Sequence, residues 1–255
     1  MSLKLVSINI ERSMHLDLVG SFLAGSSADV VCVQELMEAD APVLAQAMGN
    51  VQCIYEPMGR RTGEGDVGIM GIGIFSKTPV LSSDAVYYVG GRGQMLDSDS
   101  DNAATFNSFN RMVLHADVEQ GGVQYRIATT HFTWTPDGKP NDEQRSDMDA
   151  LKRSLDTLGE FVLCGDFNAP RGGEMFAELS KDYRDNIPPQ YVWSLDLSIH
   201  RAGNGSLQEH ARQAGLEGFM VDGLFTTSRY EARDVALVGG VSDHMAVTAD
   251  IQKAQ

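Results

Sequence analysis

Cysteine is scarce and unorganised in this chain: Cys32, Cys53 and Cys164 form no CxxC pair and no even-numbered framework. A disulfide-stapled small domain and a thiolate zinc site are therefore disfavoured. Cys32 and Cys164 lie inside apolar runs and read as buried free thiols, which fits a reducing compartment. Positive charge is also short. Lys and Arg total 20 against 35 Asp and Glu, a formal net charge of -15, so the surface repels polyanions unless a cation or a local basic patch intervenes. No window approaches the ~20 apolar residues of a membrane-spanning helix. The opening MSLKLVSINI lacks the basic and long apolar regions of a secretory leader. The expectation is a cytoplasmic protein with no integral membrane association. No internal repeat or linker divides the chain, so residues 1–255 read as one domain.

What the chain does have is an ordinary core composition, 42% hydrophobic and 22% charged, and an alternation of short β-rich runs with helical patterns. Strands are expected at 3–10, 29–34, 71–76, 112–118, 125–131, 160–164, 223–226, 235–238 and 245–251. Several are apolar on both faces, as in a sheet covered on both sides. Helices are signalled by Leu18, Val19, Phe22 and Leu23, by Val43, Leu44, Ala47 and Met48, and by Met148, Leu151, Leu155 and Leu158. Met175, Phe176 and Leu179 mark another. The class is α/β, with a packed β interior and helices outside.

Two stretches fit no periodic element. GGRGQMLDSDSDNAATFNSFN, from Gly90, carries Asp97, Asp99 and Asp101 without the ligand ladder and closing Glu of a calcium loop, and reads as a solvated loop. The segment Asp185–Ser206 is long for a connection and is a candidate active-site rim.

The chemistry gathers where strands end. The run VLCGDFNAP stops at Gly165 and then places Asp166 and Asn168 two residues apart, hence on one side if the strand continues. Asn9 follows LVSI, Glu35 follows VVCVQ, His131 follows RIATT, Asp222 follows FMV, and Asp243 with His244 opens the last strand. Singly, each reads more simply as a turn former or a structural histidine. Together, Glu35, Asp166, Asp243 and the amides of Asn9 and Asn168 are hard oxygen donors suited to Mg²⁺, Mn²⁺ or Ca²⁺. His131 and His244 suit phosphate contact or proton transfer. Neither an H-x-H-x-D-H run nor a GDxH signature occurs.

In that order Asn9, Gln34-Glu35, GIGIFSKTP (71–79), Thr130-His131, GDFN (165–168), VDGLF (221–225) and SDH (242–244) resemble the endonuclease/exonuclease/phosphatase superfamily of DNase I-like metal-dependent phosphoesterases. The resemblance implies a four-layer α/β/β/α sandwich of two packed mixed sheets flanked by helices. It implies Mg²⁺, or Mn²⁺, at Glu35 supported by Asn9, with Asp243 near a metal. Asp166 and Asn168 would position the attacking water and the scissile phosphate. Asp222 would orient His244, and His131 would contact the phosphoryl oxygens or the leaving group.

The superfamily fixes phosphoester hydrolysis and leaves the substrate to the loops. No strongly basic arm or aromatic wedge argues for duplex DNA. The leading expectation is a small-molecule or lipid-linked phosphoester, ahead of a nuclease and of a catalytically silent binding module. Arg60 and Arg61 form either a phosphate-gripping loop or a solvent-facing turn. His200 and Arg201 are the second candidate for substrate contact, while nearby Trp193 reads first as an anchoring aromatic.

Overall fold

The computed structural model describes residues 2–65 and 67–254. In chain order its elements begin β1 (Leu3–Asn9), α1 (Leu16–Gly25), β2 (Val30–Met37), α2 (Ala41–Ala47), β3 (Gln52–Thr62), β4 (Gly68–Ser76) and β5 (Val80–Val89). They continue as β6 (Asp97–Asp99), β7 (Arg111–Gln120), β8 (Val123–His131), α3 (Asp142–Leu155), β9 (Val162–Asp166) and α4 (Glu174–Ser180). The last are β10 (Arg184–Asp185), α5 (Asn204–Ala214), β11 (Asp222–Thr226), β12 (Tyr230–Val238) and β13 (Ala246–Lys253). One sheet has the order β12-β13-β1-β2-β4-β3-β6, the other β10-β11-β9-β8-β7-β5. Both are mixed: β1 pairs parallel with β2 and antiparallel with β13, and β8 pairs parallel with β9 and antiparallel with β7.

Successive side chains on a strand point to opposite faces, so each sheet has an inner face toward the other sheet and an outer face toward helices. Leu3, Leu5, Val30, Cys32, Ile72 and Ile74 meet Leu114, Ile127, Val162, Cys164 and Leu224 in the core between the sheets. On the outside, Val6, Ile8, Val31 and Val33 pack on Val19 and Leu23 of α1 and Leu44 of α2. Ala128, Leu163 and Phe225 pack on Met148 and Leu151 of α3 and Phe176 of α4. Each Val, Leu, Ile, Met or Phe side chain buried here contributes about 1.5–3 kcal/mol. Apolar packing therefore fixes how the sheets align, and with them the strand ends. The result is the four-layer α/β/β/α sandwich the resemblance implied.

Some elements differ from the expectation. β3 contains Pro57 and Gly59, which ordinarily argue against a strand interior; a register shift against β4 between these residues absorbs them. β5, at a sheet edge, shows Ser82, Ser83 and Asp84 to solvent and so lacks an apolar alternation. The segment from Gly90 is not simply solvated. It contributes β6, which pairs parallel with the end of β3, and it buries Ser98, Phe109 and Asn110. α5 begins just after Gly203 and ends at Gly215 in the left-handed conformation, which only glycine enters at little cost.

Close approach of strands requires glycine at Gly165. Its φ is 145°, and a Cβ there would lie 2.1 Å from the Thr130 carbonyl oxygen on the paired strand β8. Gly165→Ala should lower stability by about 3 kcal/mol or more, through overpacking and backbone strain together. A denaturant melt reads this as a fallen midpoint; an unchanged midpoint would refute the tight approach.

Candidate active site

The inner faces turn polar at one end of the sandwich. Along β1 the inner residues run Leu3, Leu5, Ser7, Asn9; along β8 they run Tyr125, Ile127, Thr129, His131; along β9, Val162, Cys164, Asp166. β11 enters from the other direction and starts with Asp222 on the face of Leu224. His131, Asp166 and Asp222 are direct cross-strand partners over β8, β9 and β11.

Glu35 reaches the same place by a bulge. The register of β2 against β4 slips between Val33 and Leu36, and Glu35 has φ 51°. Val33 and Leu36 both pack outward, whereas Gln34 and Glu35 both face inward. Two consecutive side chains on one face is what an extra residue provides. Holding a non-glycine residue at positive φ costs about 1 kcal/mol or more. Fully buried Gln34 donates its Nε2 to Thr129 Oγ1 at 2.9 Å and to Ser7 Oγ at 3.3 Å, tying the two sheets together.

Asn9 links the acids. Its Nδ2 donates to Asp166 Oδ2 at 3.0 Å and to Glu35 Oε1 at 3.4 Å, while its Oδ1 accepts the Glu11 backbone N–H at 3.0 Å. Asn9 thereby orients Glu35 and Asp166, and its amide oxygen keeps a second lone pair beyond the bond to the Glu11 N–H. Asp166 also accepts the Asn168 N–H at 2.8 Å, and its Oδ2 lies 3.5 Å from His131 Nε2 and 3.9 Å from His244 Nε2. Burial pushes the Asp166 carboxyl up from its ordinary value, His244 pulls it down, and Asp222 pushes it up again. Asn168, at φ 48°, donates Nδ2 to the Phe132 carbonyl at 2.9 Å. Gln144, whose N–H is held by the Asn141 cap of α3, donates to the carbonyls of Thr133 and Asn168.

Asp222 and His244 form a buried pair, with Nδ1 2.8 Å from Asp222 Oδ2. The rim segment sets both partners. Ser194 Oγ accepts the Val221 and Asp222 N–H groups at 2.9 and 3.0 Å, and Leu195 bridges to His244.

The two histidines lie in opposite regimes. For His131 burial acts first and Arg111 adds to it against the pull of Asp166, taking the pKa down to about 3. For His244 burial works against the charge, but Asp222, Asp166 and Asp243 outweigh it and hold the pKa well above the ordinary value. The surroundings thus favour the neutral imidazole at His131 and the protonated one at His244. The stabilisation tied to His244 is complete below its unfolded pKa of ~6.5 and fades as pH rises through the folded one. In Asp222→Asn, with chelator present, an NMR titration should show His244 losing its proton at lower pH than in the parent. An unmoved titration would break the assignment.

Sequence reasoning missed Glu11, His15 and Arg111. Glu11, His15 and Asp243 bring ligand atoms within 4.8 Å of one another, and the sole sequence signal was an acid and a histidine four residues apart. Burial, and then the charge of Asp243, push the Glu11 carboxyl up. Carboxylates this close, beside the Asn9–Glu35 pair, form an oxygen-rich donor set that fits a hard divalent cation. A second triplet, Asp166, Asp222 and His244, also lies within 4.8 Å, but there His244 Nδ1 is engaged by Asp222. Arg111, buried at the start of β7, donates NH1 to the carbonyls of His131 and Phe132 at 3.0 and 3.2 Å, and so shapes the turn beyond β8.

A cavity of about 690 Å³ opens over these groups, lined by Glu11, Glu35, His131, Asp166, Asn168, Asp243 and His244. The expected arginine pair divides. Arg61 lines the cavity, whereas Arg60 lies outside it and pairs with Asp97 through Nε at 2.9 Å and NH2 at 3.2 Å. Because β3 continues as a strand through both, neighbours must point to opposite faces. His200 and Arg201 both line the cavity; His200 Nε2 is 4.0 Å from Asp243 Oδ2 and Arg201 Nε 3.9 Å from Glu11 Oε1. Trp193 stacks edge-on against Phe219 at 5.9 Å, an anchoring contact. Among the described residues no helix is long and apolar enough to cross a membrane.

No curated protein sequence matches the chain. Solved structures do. The human Nocturnin catalytic domain with bound sulfate is 15% identical, with 99% of this chain and 94% of that one covered at a TM-score of 0.68. D. rerio TDP2 complexed with a single-strand DNA product is 16% identical, covering 98% and 99%, at 0.68. The mannosyl-6-phosphatase Bt3783 of Bacteroides thetaiotaomicron VPI-5482 is 12% identical, covering 98% and 100%, at 0.64. At such identities the likeness speaks for the fold. The family model described as Endonuclease/Exonuclease/phosphatase family matches residues 6–244, a span that runs from β1 through His244 and takes in every strand end described above; the chain belongs to that family.

Proposed function

We propose that the chain is a divalent-metal-dependent hydrolase of phosphoester bonds, acting on a compact phosphoester by in-line attack of water. The observation that carries this is the pair of histidines whose Nε2 atoms lie 3.5 and 3.9 Å from Asp166 Oδ2, in surroundings that push the His131 pKa down and the His244 pKa up. Titratable groups driven apart by their surroundings are how one site supplies both a proton donor and an acceptor at neutral pH. Protonated His244, held by Asp222, can donate to a phosphoryl oxygen. Neutral His131 can hydrogen-bond to the leaving group or another phosphoryl oxygen. Asp166, with Asn168, can orient a water for attack. Glu35, with Glu11 and Asp243, would hold Mg²⁺ or Mn²⁺, which when bound neutralises charge on the transferred phosphoryl group.

A compact substrate follows from charge. A duplex-tracking nuclease neutralises several phosphates with Lys and Arg; here the chain carries a formal net charge of -15, and of the arginines lining the cavity, Arg12, Arg61, Arg111 and Arg201, Arg12 is turned to Glu11 and buried Arg111 to the His131 and Phe132 carbonyls. A purified sample with Mg²⁺, assayed against phosphomonoesters, phosphodiesters, sphingomyelin and nucleic acids, should cleave a small ester and lose that activity with EDTA. Binding of a short DNA duplex across a salt series should be weak at physiological ionic strength. Tight binding with a steep salt dependence would promote the nuclease reading instead, and no turnover of any ester would leave the silent binding module.

A further inference from the structure

The cavity has an aromatic wall that the proposed chemistry does not use. Trp134 and Phe106 both line it and are both solvent-exposed, 44% and 41%. Their ring centroids lie 6.4 Å apart at 65°, so one ring presents its face beside the edge of the other. Large exposed aromatics are unusual enough to require a reason. This pair is also held in place. Asn107 donates Nδ2 to the Trp134 carbonyl at 2.9 Å and accepts the Trp134 N–H at 3.3 Å. Arg111 NH2 reaches the same Asn107 at 3.4 Å while its NH1 holds the His131 carbonyl. One guanidinium therefore ties the aromatic wall to the turn carrying His131. Three residues of extended chain cap the His131–Trp134 separation at about 11 Å.

We infer that Trp134 and Phe106 form a stacking platform for a planar aromatic ring attached to the phosphate, as in a nucleotide. The inference rests on the phosphoesterase reading for the position of the phosphate. Stacking tolerates any flat π-face, and the tie from Asn107 through Arg111 to the His131 carbonyl holds the two rings in place beside the proposed site of the phosphate.

The test is calorimetric binding to the full-length Asp166→Asn variant with Mg²⁺, using adenosine 5′-monophosphate, phenyl phosphate and glucose 6-phosphate. Adenosine 5′-monophosphate should bind tightest. Trp134→Ala should weaken it and phenyl phosphate about tenfold while leaving glucose 6-phosphate unchanged, and Trp134→Phe should recover most of the loss. Equal affinity for the nucleotide and the sugar phosphate, or indifference to Trp134→Ala, overturns the platform. The two readings fail separately. If the parent binds the nucleotide through Trp134 but turns over no ester, the platform stands without the hydrolase. If it hydrolyses sugar phosphates regardless of Trp134, the hydrolase stands without the platform.

Discussion

Asp166→Asn is expected to reduce the proposed phosphoester hydrolysis by about 10³-fold while the protein stays folded. The size follows from the number of groups that meet on this one carboxylate. It receives the Asn9 amide and the Asn168 N–H, and it lies within 3.9 Å of both His131 and His244. An asparagine keeps the shape but supplies one oxygen in place of two, so its amide group must face either the Asn168 N–H or the side shared by Asn9 and the histidines as a second donor. A base or positioned water at the reacting centre accounts for about 10²–10⁴ in rate. Stability should suffer little, because burial already disfavours the Asp166 charge and removing it relieves that cost. Initial rates and thermal melts on one preparation decide the matter. Rates within tenfold of the parent would remove Asp166 from the reaction, and a collapsed melt would recast it as a structural residue.

Glu35→Gln is the second large effect. Its side chain sits on a bulge at positive φ, an arrangement maintained at a cost and explained if the carboxylate must reach the space between the sheets. Asn9 Nδ2 can still donate to the Gln oxygen, so the local hydrogen bond survives and only the charge is lost. The Mg²⁺ concentration for half-maximal rate should rise, and the saturated rate should fall, by about 10²-fold together. Glu38→Gln, at an exposed carboxylate a few residues away, should do neither. A Glu35→Gln protein with an unchanged Mg²⁺ titration and unchanged turnover would displace the cation from this residue.

Much of this site was legible because apolar alternation runs unbroken to the residue that matters. Leu3, Leu5 and Ser7 point the way to Asn9, and Val162 and Cys164 to Asp166. Legibility failed where the signal depended on partners. β3 reads as a loop because Pro57 and Gly59 break its pattern, and Arg60 and Arg61 then look like one basic unit; as a strand, they divide between two faces. Glu11 and His15 sit in the turn after β1, where no periodicity marks them, and only folding brings Asp243 beside them. Arg111 looks like the polar start of a strand. Its function as a tie between His131 and Asn107 exists only once β8 has folded against β7.

The position of β1 governs when such a site can exist at all. The first strand of the chain lies between β2 and β13, its last. During synthesis β1 and β2 can pair early, but the other edge of β1 stays open until residues 246–253 have emerged. Asp243 and His244 arrive just ahead of that strand. Non-local pairings of this kind close late and slowly. A nascent or truncated chain ending before β13 thus carries most of the cavity wall but leaves an unpaired strand edge, the state most prone to aberrant association. Recovery of ligand binding after denaturation should accordingly lag behind the recovery of bulk secondary structure, timing the moment when β13 reaches β1.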